Sequence, residues 1–429
     1  MRTDPRGKCF VSYRRSRADE ARLLVESLRD LGVPTWQDIE NLPEESTEDA
    51  LRRTIQDPAI SSAILWITPE VEYSPIIRQI EAPGFFNRVR NGDGFHLLPV
   101  CAGGVDFSGA AIVVDPQYSL EDVPGWNLRR VAVVARRRWY WPWSRYPAPR
   151  ICSTIAAGLT SRVMRRRVEA IHASVPAEQP LQLRISTRTP PPQRVPADLV
   201  FDWRHRFEGR HAKPGAWGTH ICPALRSVSD AIVEFGSTRR IVCEGHVPLA
   251  GAAALGAAFL QPLGVRAAWR QEVPGRDAQE WSLADAPKPV ALSVSETAGQ
   301  ITANELAVLV SINANAESGF AASRPTLPAF RSVVHLHGPD KRPFHFANGG
   351  EAVSAAQQVI EAIKATRDRT RYTGTTHLFL CGPAGLAFLI GQLSNQFMPL
   401  QPYEFDPEDR GGRYSAAATI RRHLPIKSI

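Results

Sequence analysis

The sequence predicts an α/β protein of more than one domain, with an N-terminal parallel sheet covered by helices and a later α/β region built from two related halves. Three observations carry this expectation. Short apolar runs alternate with segments whose apolar residues recur every three or four positions, as in βαβ units. The chain has 429 residues, more than one hydrophobic core ordinarily serves. A strand, glycine, proline, helix, strand pattern occurs twice past residue 235.

The N-terminal elements follow in order. Cys9-Phe10-Val11-Ser12-Tyr13 is a first strand. Ala21, Leu24, Val25, Leu28 and Leu31 fall on one face of a helix that Gly32 ends. Val33 to Trp36 is a short second strand, the polar stretch from Gln37 to Ser46 is a loop, and Thr47 to Ile55 is a helix. Ser62 to Ile67 and Leu97 to Val100 are continuously apolar, as strands buried on both faces of a parallel sheet must be.

The composition changes between Arg136 and Arg167, where an arginine triplet, the cluster Trp139-Tyr140-Trp141-Pro142-Trp143 and a helical stretch follow one another. Residues 1–135 hold 15 Lys and Arg against 20 Asp and Glu, residues 136–175 hold 9 against 1, and the remainder 27 against 22. The net charge of +8 is therefore local. It suits an anionic partner of the later region or attraction between domains, and it is too modest outside the junction to favour direct nucleic-acid binding. Domains are expected at 1–135, 136–175 as a basic and aromatic linker with a helix, and 176–429. Thr187 to Pro196, with three consecutive prolines, reads as a rigid connector.

In the C-terminal region, Arg240 to Pro248 opens a helix through Phe259 and a strand around Arg266 to Gln271, and His377 to Pro383 opens a helix through Leu393 and a strand around Tyr403. Between them, Val290 to Val294 and Val333 to Leu336 read as strands, and Thr302 to Ile312 and Ala352 to Ile363 as helices. Two halves around a pseudo-twofold groove are expected.

Ser12, Tyr13 and Arg14 end the first strand, and ligands of open α/β sheets bind at the carboxyl ends of strands. The stretch FVSYRRSRADE, followed by a helix, LGVPTWQD and a variable loop, resembles the opening of TIR domains. Tyr73 to Glu81 then occupies the place where that family carries a serine, an aromatic-cysteine pair and a catalytic glutamate. Ile76 stands where many members have tryptophan, and Glu81 falls one residue beyond the commonest spacing. The resemblance implies a flavodoxin-like TIR fold and cleavage of the N-glycosidic bond of NAD+, a substrate rather than a resident cofactor. Glu81 is the implied catalytic carboxylate, with Glu72 as the alternative. Phe10, Ser12, Tyr13, Arg14, Trp36, Asp38 and Ser74 would bind the dinucleotide, Asp38 being equally readable as a turn residue. A carboxylate beside the ribose stabilises the oxocarbenium-like centre as nicotinamide departs. TIR domains also serve as adaptors without catalysis.

The repeated region, with Leu292 to Ser295 and Val333 to Pro339, is similar in layout to the SAVED domain, which pairs two CARF-like halves and binds cyclic oligonucleotides in bacterial antiphage signalling. Independently, a strand running through a Gly-Pro turn into a helix leaves free backbone N–H groups that suit a phosphate. Gly245, His246, Gly382, Pro383 and Ala384 are the expected ligand positions, with Lys341, Arg342, Arg371 and Tyr372 as charged or stacking neighbours. Of His335, His337 and His345, alternation places only the first two on one face, and no metal is expected. The whole predicts a cytoplasmic NAD+ hydrolase, activated by a cyclic oligonucleotide that assembles it into a homo-oligomer or filament, with neither membrane nor DNA as partner. A TIR adaptor assembled by a C-terminal ligand is the alternative.

Overall fold

The computed structural model describes residues 2–36, 47–105, 110, 113–114, 129–130, 151–189, 196–236, 239–273, 275–408 and 412–421. Asp38, the loop expected from Gln37 to Ser46, the aromatic cluster from Trp139 to Trp143 and the prolines from Pro190 to Pro192 lie outside the described residues. The chain divides into two compact units, one of residues 1–175 with 199–201, the other of residues 176–198 with 202–429.

The first unit is the expected parallel sheet. Its strands are β1 (Lys8–Ser12), β2 (Thr35–Trp36), β3 (Ile60–Ile67), β4 (His96–Cys101) and β5 (Arg129–Arg130), in the order β2-β1-β3-β4-β5 and parallel throughout. That order reverses direction between β1 and β3, and the crevice outside the carboxyl ends there is where such sheets take their ligands. All eight residues of β3 are buried, which accounts for its unbroken apolar sequence. Helix α1 (Ala18–Asp30) turns Ala21, Leu24, Val25 and Leu28 inward, and α2 (Thr47–Gln56) and α3 (Ala82–Asn91) complete the cover with α4 (Ser153–Ser174). Arg88 of α3 closes the amino end: its guanidinium donates to the carbonyls of Ile55, Asp57 and Ile60 and to Thr3 Oγ1, and pairs with Asp93.

The second unit contains two sheets. In one, the strands Gln279–Ser282, Ala267–Gln271, Ile241–His246 and Leu181–Ser186 lie side by side in that order, the last three parallel. The other has six strands, in the order Ser293–Ala298, Phe330–His337, Glu305–Ser311, Thr376–Cys381, Leu400–Asp406 and Arg413–Ala416. Its four inner strands are parallel and its two edges antiparallel. The helix expected from Thr302 to Ile312 is corrected to the strand Glu305–Ser311. Leu306 to Val310 are buried on both faces of the sheet, and a run of that kind has no period to separate strand from buried helix. The strand expected from Val290 to Val294 begins instead at Ser293 and runs to Ala298 along an exposed edge.

The two expected halves are present. Ile241–His246 leads through Pro248 into the helix Leu249–Ala258 and on to Ala267–Gln271, and Thr376–Cys381 leads through Pro383 into Ala384–Leu393 and on to Leu400–Asp406. The two helices meet backbone to backbone. A Cβ on Gly256 would stand 2.0 Å from the Phe388 carbonyl oxygen, and one on Gly391 would stand 2.2 Å from that of Ala253. Each glycine is the eighth residue of its helix and each carbonyl belongs to the fifth residue of the other, so the contact is two-fold in form. Among the described residues, no helix is long and apolar enough to cross a membrane.

Candidate functional site

At the carboxyl edge of the first sheet, Ser12 ends β1 and Glu81 ends a π-helical turn, Ile77–Glu81, that runs directly into α3. Ser12 Oγ donates to Glu81 Oε2 at 2.5 Å, and both residues are buried, at 1% and 6% exposure. A π turn holds one more residue than an α turn. The Ile77–Glu81 turn carries such a residue, and the Glu81 carboxylate at its end reaches Ser12.

A second set of polar groups surrounds the same edge. Arg17 holds Glu70 at 2.7 Å and Glu20 at 3.1 Å, and Glu20 accepts Trp66 Nε1 at 2.8 Å. Burial pushes the Glu70 carboxyl up, but the Arg17 guanidinium outweighs it and holds the group below the usual carboxylate range. These bonds tie the loop that follows β1 to the turn Pro69–Tyr73 that leads toward Glu81.

The other expected dinucleotide contacts divide. Ser74 is buried in the segment before the π turn, and Tyr13 and Arg14 are half-buried beside Ser12. Phe10 and Trp36 instead stack on each other at 4.3 Å inside the core formed with Leu51, Ile55 and Phe85. Phe10 shares a face with Ser12 but lies two residues deeper in the strand, under that cover. Glu72, the alternative carboxylate, is exposed. A separate cleft of about 560 Å³ opens by Arg2, Gln56, Arg88 and Asp93, at the amino end, where the Arg88 guanidinium is already held by protein carbonyls.

In the second unit the carboxyl ends of the two halves converge. Gln271, ending a strand of the first half, accepts the backbone N–H of Gly385 at 2.9 Å, at the start of the second half's helix. On the other side Trp217 packs against Gly251, at the start of the first half's helix. Burial pushes the Glu404 carboxyl up to about 7, with Trp217 opposing. Across the second unit's sheet that contains Ile241–His246, Arg184 and Arg270 flank Glu244 at 2.5 Å and 3.8 Å. At the end of the six-stranded sheet, Ser311 bonds His335, whose ring lies 4.9 Å from that of His337.

Against these ends the expected ligand residues separate into two groups. Gly382, Pro383 and Ala384 follow Thr376–Cys381, and Lys341 and Arg342 follow Phe330–His337, so all five stand at carboxyl ends of parallel strands. His246 ends its strand in the other half. Gly245 has a local reason to be glycine: at φ 138°, a Cβ would stand 1.9 Å from the Ile185 carbonyl oxygen of the neighbouring strand. Arg371 and Tyr372 are corrected. They precede Thr376–Cys381 and lie at its amino end, away from Gly382, where Arg371 caps the helix Gly349–Thr370 and Tyr372 is core, its hydroxyl on Thr376 at 3.0 Å. Gln271, Trp217 and Glu404 were outside the expectation, and no motif marks them.

Among solved structures, the chain is similar to the Acinetobacter baumannii Cap4 SAVED/CARF-domain containing receptor with the cyclic trinucleotide 3'3'3'-cAAA, at 12% identity over 95% of this chain and 98% of that one, with a TM-score of 0.49. For the same receptor with 2'3'3'-cAAA the values are 12%, 94%, 97% and 0.47, and for the Moraxella osloensis Cap4 receptor 12%, 94%, 98% and 0.43. No curated protein matches. The family model that does match is SAVED, the SMODS-associated and fused to various effectors sensor domain, over residues 224–420, which span most of the second unit.

Proposed function

We propose that the chain is an NAD+ hydrolase switched on by a cyclic oligonucleotide and acting as an antiphage effector. The single observation that carries the catalytic half is the buried Ser12–Glu81 pair at the switch point of the N-terminal sheet. A carboxylate in a water-poor crevice stabilises positive charge on a ribose far better than one in solvent. Glu81 faces the anomeric carbon as the bond to nicotinamide breaks, and Ser12 orients the carboxylate. Water then completes hydrolysis to ADP-ribose. The TIR resemblance of FVSYRRSRADE supports the same chemistry.

The sensing half rests on the SAVED match over residues 224–420 and on the converging carboxyl ends around Gly385 and Gly251. Ligand binding there drives self-association, and association completes the N-terminal catalytic units. Purified protein incubated with NAD+ and a panel of cyclic di-, tri- and tetranucleotides, with nicotinamide release followed, tests this. Release with one ring and not without it is expected. Ligand-induced oligomers that leave NAD+ intact would instead select the adaptor role.

A further inference from the structure

A basic hairpin crosses between the two halves of the second unit. Trp203 donates its backbone N–H to the Ser186 carbonyl at 2.9 Å, at the carboxyl end of Leu181–Ser186 in the first half's sheet. The chain then folds into the short antiparallel strands Phe207–Glu208 and His211–Ala212. On the far side, His211 Nε2 stands 3.3 Å from Asp406 Oδ2, at the carboxyl end of Leu400–Asp406 in the second half. Residues 204–213 hold four Lys and Arg against one Glu, so the hairpin draws anions.

Its hold on the second half is weak. A ladder of two residue pairs is not stable alone, and His211 and Asp406 meet at a partly exposed position. Beneath it, Phe207 and Trp203 pack edge-on against Trp217, with ring centroids 5.8 and 6.3 Å away. The Trp217 indole is near enough to Glu404 to oppose the rise of its carboxyl, and Glu404 shares a strand face with Asp406. The hairpin, resting on Trp217 and on Asp406, therefore lies across Glu404. Trp217 Nε1 and Glu404 Oε1 are both buried without a hydrogen-bond partner, and Trp217 as a whole is 6% exposed. Buried donors and acceptors are paired almost everywhere in folded proteins, so these two call for a partner from outside.

We propose that the hairpin Phe207–Ala212 is a lid: with His211 on Asp406 it seals Trp217 and Glu404, and when it lifts these two groups bond the edge of a nucleobase of the ligand. This rests on the cyclic-oligonucleotide reading of the second unit. The indole N–H meets an acceptor on the base. The Glu404 carboxyl, raised by burial to about 7, carries a proton that lets it donate as well as accept. The phosphates of the ring draw the basic hairpin back, so the element that delays entry also delays exit.

Binding of 3'3'3'-cAAA to the full chain is followed by surface plasmon resonance, and exchange of the hairpin amides, without ligand, by hydrogen–deuterium mass spectrometry. His211→Gln and Asp406→Asn unlatch the lid, so association and dissociation should each quicken about tenfold and the hairpin amides exchange about tenfold faster. Trp217→Phe, which keeps a ring and removes the N–H, should weaken binding about tenfold. Glu404→Leu should cost more than Glu404→Gln, which still donates and accepts. Rates unchanged in both latch variants, or affinity unchanged in both Trp217→Phe and Glu404→Leu, overturn the proposal while leaving the sensing role in place. If 3'3'3'-cAAA does not bind, it is the wrong ring for this sensor and amide exchange decides alone: faster exchange in the latch variants supports the lid, and unchanged exchange overturns it.

Discussion

Ser12 donates to Glu81 across 69 residues of sequence, joining the end of the first strand to the end of a π turn inside the first unit. Removing the carboxylate charge while keeping its shape, Glu81→Gln, should cut nicotinamide release at least about a thousandfold with the fold unchanged by circular dichroism. Ser12→Ala should cost about ten- to a hundredfold, because Glu81 remains but loses its fixed orientation. Glu72→Gln should have no effect, and a dead Glu72→Gln beside an active Glu81→Gln would move the catalytic role to Glu72.

The expected ligand residues separate by which end of the strands they occupy. Arg342→Glu, at the carboxyl end, should weaken cyclic-oligonucleotide binding about tenfold or more and flatten its salt dependence. Arg371→Glu, at the amino end, should leave the affinity alone. Calorimetry at two ionic strengths distinguishes them, and equal losses from both would contradict the placement of the site.

Acid should weaken the first unit through His96. Burial lowers its imidazole to about 4 from an ordinary 6.5, so between those values the unfolded chain binds a proton that the folded chain refuses. The stabilising contribution is present in full above pH 6.5 and is lost as pH falls toward 4, an amount of roughly 3 kcal/mol. Urea unfolding across that range should show the slope, and His96→Phe should flatten it.

Glu404 should act with the opposite sign. Its carboxyl is raised by burial to about 7, so the folded chain keeps a proton that the unfolded chain sheds above about 4.5. Stability of the second unit should fall as pH rises from about 4.5 through 7. Glu404→Gln should remove this fall, and an unchanged pH profile would argue against a buried carboxyl at that position.

The helix contact predicts contrasting glycine substitutions. Gly256→Ala or Gly391→Ala puts a methyl group against a backbone carbonyl and should destabilise by about 1–3 kcal/mol. Gly158→Ala, inside a helix with open space where the methyl would go, should stabilise by about 0.5–1 kcal/mol. Chemical denaturation of the three variants makes the comparison.

Much of this architecture was legible because parallel strands buried on both faces leave unbroken apolar runs, as Ser62 to Ile67 and His377 to Leu380 do. The same property misled at Leu306 to Val310, where an unbroken run looks alike as strand and as buried helix. At the candidate site, Ser12 and Glu81 were singled out only by resemblance, and their contact was not legible, because a π turn has no hydrophobic signature. Phe10 and Trp36 lie within the same stretch and belong to the core, since depth along a strand is invisible in sequence. Arg371 and Tyr372 were drawn to Gly382 by nearness in the chain, yet a strand of six residues holds its two ends about 20 Å apart.

The reciprocal approach of Gly256 and Gly391 has the form of an interface between two copies of one subunit, made here within a single chain. Two identical subunits joined in that way are bound to present the same surface twice. Covalent fusion lifts the obligation: the edge carrying Arg184, Glu244 and Arg270 has grown unlike the edge carrying Ser311, His335 and Lys341, although the helices beneath them still meet as twins. A surface built over such a pair is no longer obliged to be two-fold, so neither is the shape that would complement it.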